Sequence, residues 1–227
     1  MKRWGLLLLT LGITACSASP QVRIASDKYE TEQFEISIER PVFEIDGFEE
    51  FSAQLNERIS GELDETAKAF EAEITASPVP QKCTLDIKQE INYDKNHFIS
   101  VTEERSSYTG GAHGTVVRKT RNIDTLAGCE LTLGDLFAEE GYAETLERMI
   151  RDLREKNPAE YEDLWEEPTI KPQQNFYITD DDLVLYYQPY ELSYYARGFV
   201  EFPLRLSSLR GYLKEEYYRL AGTGAPN

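Results

Sequence analysis

The chain has 227 residues and a formal net charge of −17 at pH 7, with 41 acidic side chains against 24 Lys and Arg. Hydrophobic residues make up 41% of it and aromatic residues 11%, which excludes a largely disordered chain. So acidic a surface excludes nucleic acid as a partner and favours basic partners, although solubility alone also accounts for the acidity. The length predicts one domain, or two small ones that share a core.

Residues 1–15 predict a lipoprotein signal peptide. Two basic residues, Lys2 and Arg3, precede an apolar run that is too short to span a bilayer. The residues before Cys16 resemble the lipobox of bacterial lipoproteins, in which the cysteine is lipidated and begins the mature chain. The alternative is ordinary secretory cleavage near Ala18. Loss of Lys2 and Arg3 leaves 22 basic residues against 41 acidic ones, a mature net charge of −19.

Lipidation of Cys16 predicts a protein that is anchored in the cell envelope by lipid while its folded part stays in water. We expect residues 16–27 to form a tether, and we find no later segment apolar enough to cross a membrane. Ser17 is not the aspartate associated with inner-membrane retention. In a cell with two membranes we therefore expect the outer membrane, facing the periplasm, and otherwise the outer face of the plasma membrane.

Residues 28–80 predict an N-terminal subdomain made of a strand and a long helix. Apolar residues recur at three- and four-residue steps on one face of that helix, and Pro78 and Pro80 end it. The stripe consists of Phe48, Phe51, Leu55, Ile59, Leu63, Ala67, Phe70 and Ile74.

Residues 81–218 predict a second α+β domain that begins with three strands, 83–93, 97–105 and 115–124. Cys83 and Cys129 are the cysteines left after lipidation, and an exported compartment permits a disulfide. In the predicted meander, however, they lie at opposite ends, about 30 Å apart, whereas a disulfide needs Cα atoms within about 7 Å. Composition favours the bond and geometry opposes it, with the balance against pairing.

The rest of this domain alternates helix and strand. A helix with an apolar stripe starts at Tyr142 and ends before Pro158, a hairpin follows over 175–187, and an aromatic loop over 188–198 leads to a strand at 199–206. We expect a last helix through Tyr218 and a flexible tail over 219–227. The predicted class is α+β, with antiparallel sheets packed against two long helices and a C-terminal helix.

The segment 108–114, called the glycine segment below, interrupts the strands with three glycines and a histidine. Glycine is used where the backbone needs a positive φ or passes close to another group. A strand follows it, which excludes a dinucleotide-binding loop. The chain has only two histidines, His97 and His113, and neither has the close Cys and His spacing of a zinc site. We therefore predict no catalytic residue, no metal and no cofactor.

The glycine segment and several later stretches resemble the extracellular sensor domain of lysozyme-responsive anti-sigma factors, a domain also found beside peptidoglycan deacetylase domains. The resemblance implies an α+β binding module that, in the sensors, grips lysozyme. Asp182 departs from it, since the family often has glycine in that hairpin turn. The chain shows neither the sensors' transmembrane helix nor the deacetylase catalytic domain. The matching residues are 107–114, 122–124, Gly128, 131–137, 176–180, 183–185, 188–191, 195–198 and Pro203.

Three hypotheses follow. The first is a non-catalytic, lipid-anchored envelope protein that binds or inhibits a basic lysozyme-type muramidase through its loops. The second is a scaffold that recognises peptidoglycan, and the third is an envelope hydrolase with His113 as general base, which lacks an accompanying nucleophile or metal set. The predicted contact residues are Tyr108, Thr109, Gly110, Gly111, His113 and Gly114 of the glycine segment and Pro189, Tyr190, Glu191, Tyr194 and Tyr195 of the aromatic loop. The alternative is that these tyrosines serve only to cover the sheet.

Overall fold

The computed structural model describes residues 21–222, which form nine strands in two sheets and three α-helices. The predicted α+β class is confirmed. The helices are α1 Glu49–Ala76, α2 Tyr142–Lys156 and α3 Leu206–Leu209. The strands are β1 Val22–Glu30, β2 Phe34–Phe43, β3 Cys83–Lys95, β4 Phe98–Tyr108, β5 Thr115–Asp124, β6 Cys129–Glu130, β7 Phe176–Ile178, β8 Asp182–Tyr187 and β9 Val200–Arg205.

The larger sheet has six strands in the order β1-β2-β3-β4-β5-β6. All neighbours are antiparallel except β2 and β3, which pair in parallel with Phe34 opposite Cys83 and Ile38 opposite Ile87. This pair corrects the prediction of purely antiparallel sheets. Its cause is α1, because a long helix between two strands returns the chain to the edge where the first strand began. The pairing also joins the two predicted subdomains, 28–80 and 81–218, in one sheet.

Helix α1 covers one face of the larger sheet with the predicted apolar stripe. Leu55, Ile59 and Leu63 are buried at the centre of this stripe and contact a core of aliphatic side chains from β2 to β5. Each such side chain stabilises the fold by roughly 1.5–3 kcal/mol relative to an exposed one. The long helix is thus held by its packing on the sheet.

The smaller sheet, β7-β8-β9, is antiparallel and packs with α2 around a second core that is rich in tyrosine. It contacts the opposite face of the larger sheet through buried polar groups. Asn122 Nδ2 donates to the Phe176 carbonyl at 2.9 Å, while Ser100 Oγ donates to Asn122 Oδ1 at 2.7 Å and accepts from the Ile178 amide at 3.0 Å. We call these residues the inter-sheet joint.

Both ends of the described chain differ from the prediction. Val22–Glu30 is a strand paired with β2, so the predicted tether 16–27 overlaps β1. At the other end Leu220 and Ala221 are buried and Arg219 pairs with Asp124 at 2.8 Å, so 219–222 is packed rather than a free tail. The signal peptide and Cys16 lie outside the described residues.

The last helix is also shorter than predicted. α3 ends at Leu209, and a separate 3-10 turn forms at Glu215–Tyr217. Between them the chain bonds to the segment around the 3-10 turn Leu133–Leu136, which precedes α2. The Lys214 amide donates to the Leu136 carbonyl at 2.9 Å, and the Ala138 amide donates to the Tyr212 carbonyl at 3.0 Å. These tertiary bonds replace those of a continuing helix.

Cys83 and Cys129 are free thiols in the structure. Cys83 begins β3, and Cys129 pairs with Asp124, which lies opposite Phe98 at the far end of the sheet. Burial raises the pKa of both thiols, which keeps them in the unreactive protonated form. The two cysteines thus lie at opposite ends of the sheet, as the meander predicts.

Candidate binding site

The glycine segment is the loop between β4 and β5, and its glycines are required by backbone geometry. Gly110 and Gly111 have φ of +105° and +99°. At Gly114 a Cβ atom would lie 2.6 Å from the Ser107 carbonyl oxygen, a separation that no side chain tolerates. The Tyr108 hydroxyl donates to the Gly111 carbonyl at 3.1 Å and closes the loop on itself. The loop is therefore closed by a bond between its own residues.

His113 is fixed by contacts with the aromatic loop. Its ring stacks on Tyr195 with 4.6 Å between centroids, and its Nδ1 lies 2.8 Å from the Gly114 carbonyl oxygen. The Tyr195 hydroxyl donates to the same carbonyl at 2.8 Å. Two segments that are about eighty residues apart in sequence thus share one acceptor, and the partners of the His113 ring here are a carbonyl and an aromatic face.

The aromatic loop starts with a tight turn over residues 188–191, in which the Glu191 amide donates to the Gln188 carbonyl at 3.0 Å. Pro189 occupies the second position and Tyr190 the third, where φ is +72°. This is the arrangement of a type II turn, whose third position normally takes glycine. Tyr190 is nevertheless 59% exposed, and its ring lies 5.4 Å from that of Tyr195.

The structure brings some of the predicted contact residues together and places others apart from them. His113, Gly114, Tyr190 and Tyr195 form one cluster, called the aromatic cluster below. Tyr194 is 50% exposed and has no ring contact with another aromatic residue of the described chain. Glu191 is engaged within the turn, where its carboxylate accepts from the Gln188 amide and pairs with Lys171. Thr109 and Pro189 lie in their loops, and neither side chain forms a hydrogen bond with another of residues 21–222.

Gln188 is a residue of this site that the predicted contact set lacks. Its side-chain amide accepts from the Arg118 backbone amide at 3.0 Å and donates to the Arg118 carbonyl at 2.6 Å. It thereby completes the outer hydrogen bonds of β5 as a neighbouring strand would. These bonds fix the start of the aromatic loop against the larger sheet. The only sequence signal was a polar residue at the end of the apolar run of β8, which does not indicate a partner seventy residues away.

Arg118 is a second such residue. Its guanidinium lies 4.0 Å from the Phe199 ring centroid and pairs with Glu201 of β9 and with Glu104 of β4, the latter at 3.3 Å. Cation–π and ion-pair contacts of a largely enclosed guanidinium are stronger than exposed ones. Both ends of the aromatic loop are thus tied to β5.

The chemistry of this region is that of contact and hydrogen bonding. Residues 21–222 hold no group of three or more His, Cys, Asp or Glu arranged for a metal ion. The other histidine, His97, is exposed in the β3–β4 turn. No helix in the described part of the chain is long and apolar enough to cross a membrane.

Two family models match the chain. Residues 27–116 match a model described as deacetylase PdaC, and residues 134–207 match one described as a protein of unknown function, DUF3298. The first covers most of the larger sheet with α1, and the second covers α2 and the smaller sheet. The aromatic cluster combines one loop from each.

Two curated proteins of Bacillus subtilis are similar over most of the chain. Peptidoglycan-N-acetylmuramic acid deacetylase PdaC is 25% identical over 86% of this chain, which spans only 42% of that protein. Anti-sigma-V factor RsiV is 28% identical over 84% of this chain and 70% of its own length. The predicted resemblance to anti-sigma-factor sensors and to deacetylase-associated domains is confirmed.

Two solved structures of the DUF3298 family have the same fold. One, from Bacteroides fragilis, is 20% identical with a TM-score of 0.63 and covers 88% of this chain and 96% of its own. The other, from Pseudomonas aeruginosa, is 17% identical with a TM-score of 0.67 and covers 88% and 97%. At these identities the likeness concerns the fold alone.

Proposed function

We propose that this chain is a non-catalytic binding protein of the cell envelope and that the aromatic cluster grips a basic, lysozyme-type muramidase. The resemblance to lysozyme-responsive sensors and the similarity to an anti-sigma factor support a binding role. The similarity to a peptidoglycan deacetylase supports a place near the cell wall.

The observation that carries the proposal is the backbone of Tyr190. A bulky residue with positive φ costs on the order of 1 kcal/mol or more, and such strain is found mainly where a side chain must be presented for function. Burial does not offset this cost, because 59% of Tyr190 is exposed. An exposed tyrosine on a rigid turn provides contact area at a small entropic cost, as binding loops require.

Charge supports the same partner. The mature charge of −19 that follows from lipidation at Cys16 attracts a basic protein and accelerates encounter, and salt screens this effect. We expect binding that is strongest at low ionic strength.

The position of the cluster suits an anchored protein. The Gln21 amide donates to Asp94 Oδ2 at 2.9 Å, so the described chain enters beside the β3–β4 turn. The glycine segment lies at the other end of β4, a strand of 11 residues and so about 35 Å long. With a lipid on Cys16, the cluster faces away from the membrane.

A calorimetric titration of the protein with a basic lysozyme at low and at raised salt tests the proposal. We expect binding that weakens with salt and falls at least tenfold in Tyr190→Gly, a change that suits the turn. Leu126→Ala is the matched control, because Leu126 is 56% exposed but lies in the turn that follows the other end of β5. Absence of binding by the unchanged protein at low salt would refute the muramidase partner.

Peptidoglycan is the second candidate ligand. The stacked rings of His113 and Tyr195 form an aromatic surface beside a solvent-exposed loop. One relative is named as a peptidoglycan deacetylase. This candidate predicts retention of the protein on purified cell wall, with weak dependence on salt and loss on Tyr195→Ala. Retention that is unchanged in this variant would exclude the aromatic cluster as the wall-binding site.

A further inference from the structure

A groove of about 660 Å³ lies between α2 and the segment 158–169, apart from the aromatic cluster. Tyr161, Leu164 and Pro168 form its apolar base. Tyr161 is buried, its ring stacks on Phe202 with 5.0 Å between centroids, and its hydroxyl donates to the Glu201 carbonyl at 3.0 Å. The base is therefore part of the core of the smaller half, and the groove is preformed.

Two arginines on α2 line one side of this groove and retain unused donors. Arg154 pairs with Glu167, but its Nε is buried and has no hydrogen-bond partner. Arg151 is exposed and forms no ion pair with any of residues 21–222, although Glu147 and Glu155 lie one turn to either side. Glu147 instead accepts from the Ile170 amide at 3.0 Å. The Arg154 Nε is closed to solvent as the structure stands. A ligand carboxylate therefore meets first the exposed guanidinium of Arg151, which has no partner among the described residues.

The groove has the opposite charge where α2 ends. The helix finishes at Lys156, and the negative end of its dipole lies there, offset in part by Arg154 and Lys156 of the last turn and by Asn157, which donates to the Leu153 carbonyl. Two further carboxylates, Glu155 and Glu162, line the groove there, are exposed and form no ion pair within the described residues. An ammonium group is stabilised at such a place.

We propose that this groove binds the C-terminus of a short peptide that ends in a diamino acid. The terminal carboxylate contacts Arg151 and Arg154, and the side-chain amine contacts Glu155 and Glu162. The alkyl chain between them lies on the apolar base. Residues 151 and 155 are one helical turn apart, which places their side chains about 6 Å apart, similar to the separation of the two charges of a C-terminal lysine. Arginine binds carboxylates in a paired geometry that suits this role.

The test is a calorimetric titration with L-alanyl-γ-D-glutamyl-L-lysine as the free acid. We expect saturable binding, at least tenfold weaker for the C-terminal amide and for the Nε-acetyl peptide. Arg151→Gln should weaken binding at least tenfold. Arg148→Gln, on the same helix but directed to the Tyr212 hydroxyl at 3.4 Å, should leave it unchanged. The all-L, α-linked isomer shows whether the site prefers the linkage found in cell-wall peptides or accepts any peptide with this terminus.

Three results would overturn the proposal: no saturable binding of either isomer, equal binding of the amide, or unchanged affinity in a folded Arg151→Gln variant. Tyr190→Gly should have no effect on peptide binding, since the aromatic cluster is a separate site. Failure of the peptide site is therefore distinguishable from failure of the muramidase proposal.

Discussion

The two halves of the molecule, the larger sheet with α1 and the smaller sheet with α2, stabilise themselves by different chemistry. The larger half has long strands and an aliphatic core. A polar network lies between α1 and the sheet, in which Arg105 pairs with the buried Glu103 and donates to Thr66 Oγ1 at 2.8 Å. Long ladders of backbone hydrogen bonds already hold this half, so the network chiefly positions the helix.

The smaller half has strands of three to six residues, joined by long connections, and a core rich in tyrosine. Tyrosine fills a core while its hydroxyl bonds the connections: that of Tyr187 donates to the Thr169 carbonyl at 2.9 Å, and that of Tyr161 to the Glu201 carbonyl. The smaller half has few hydrogen bonds between strands, and these tyrosine bonds fix its long connections instead. A binding loop needs such support.

The largest expected difference between the halves is their response to alkali. Burial raises the pKa of Tyr161, Tyr186 and Tyr217, all in the smaller half, to about 12. Tyrosine in the unfolded chain titrates near pH 10, so between pH 10 and 12 the folded state keeps protons that the unfolded state loses. Stability is complete below pH 10 and falls through this window, by about 1.4 kcal/mol per tyrosine at pH 11, roughly 4 kcal/mol for these three. Burial raises the pKa of Tyr177 and Tyr187 still further, so these two tyrosines of the same half add to the loss.

Urea unfolding at pH 8 and pH 11 measures this loss. Tyr161→Phe should reduce the difference in unfolding free energy between the two pH values by about 1.4 kcal/mol, while it costs about 1 kcal/mol at pH 8 through the lost hydrogen bond. If the variant and the unchanged protein lose the same unfolding free energy between pH 8 and pH 11, Tyr161 does not contribute to the sensitivity to alkali.

The next effect tests whether the two halves unfold together. Leu63→Ala in the larger core and Leu185→Ala in the smaller one each remove a side chain with no exposed surface, and each should cost about 3 kcal/mol. Both cores pack on β4, which contributes Phe98 to the smaller core and Ile99 and Val101 to the larger one. We therefore expect both variants to shift a single transition seen by circular dichroism and by intrinsic fluorescence. Two separate transitions would make the halves independent domains.

The inter-sheet joint gives a smaller effect that addresses the same coupling. Asn122→Ala leaves Ser100 Oγ and the Phe176 carbonyl without their partner in a buried place, which costs about 2 kcal/mol. Hydrogen exchange should then rise in β7 and β8 more than in β2 and β3. Thr115→Ala, at an exposed position of the same strand, should change neither. If hydrogen exchange accelerates equally in both sheets, the inter-sheet joint stabilises the fold as a whole and does not specifically couple the smaller sheet to the larger one.

Local pattern was sufficient for the elements and insufficient for their cross-connections. The stripe through Leu55, Ile59 and Leu63 predicts α1 because burial of one face repeats with the helical period. The parallel pairing of β2 with β3 depends on where α1 returns the chain, which no local pattern contains. The domain boundary at residue 80 stays a prediction. In the structure β2 and β3, which lie on either side of it in sequence, pair in one sheet.

The same distinction between local pattern and long-range contact applies to the candidate binding site. The two contact loops were predicted from their glycines and tyrosines, and the structure places His113 against Tyr195. Gln188 is among the residues that match the sensor family, but neither it nor Arg118 is in the predicted contact set, because their contacts join segments seventy residues apart. The positive φ of Tyr190 was also hidden, since Pro189 indicates a turn but a tyrosine gives no sign of the left-handed backbone.

The smallest expected effect on stability has the opposite sign and separates stability from function. Tyr190→Gly relieves the left-handed backbone at a position that contributes little burial, so it should stabilise the fold by up to about 1 kcal/mol, whereas Tyr190→Ala keeps the strain and should not. Thermal unfolding of the two variants measures the difference, and titration with lysozyme measures binding, which both should weaken. A glycine variant that is more stable yet binds worse would identify Tyr190 as a residue retained for contact at the expense of the turn. If the glycine variant is less stable than the alanine variant, the tyrosine ring or its backbone supports the smaller half, and the strain argument for a binding site fails.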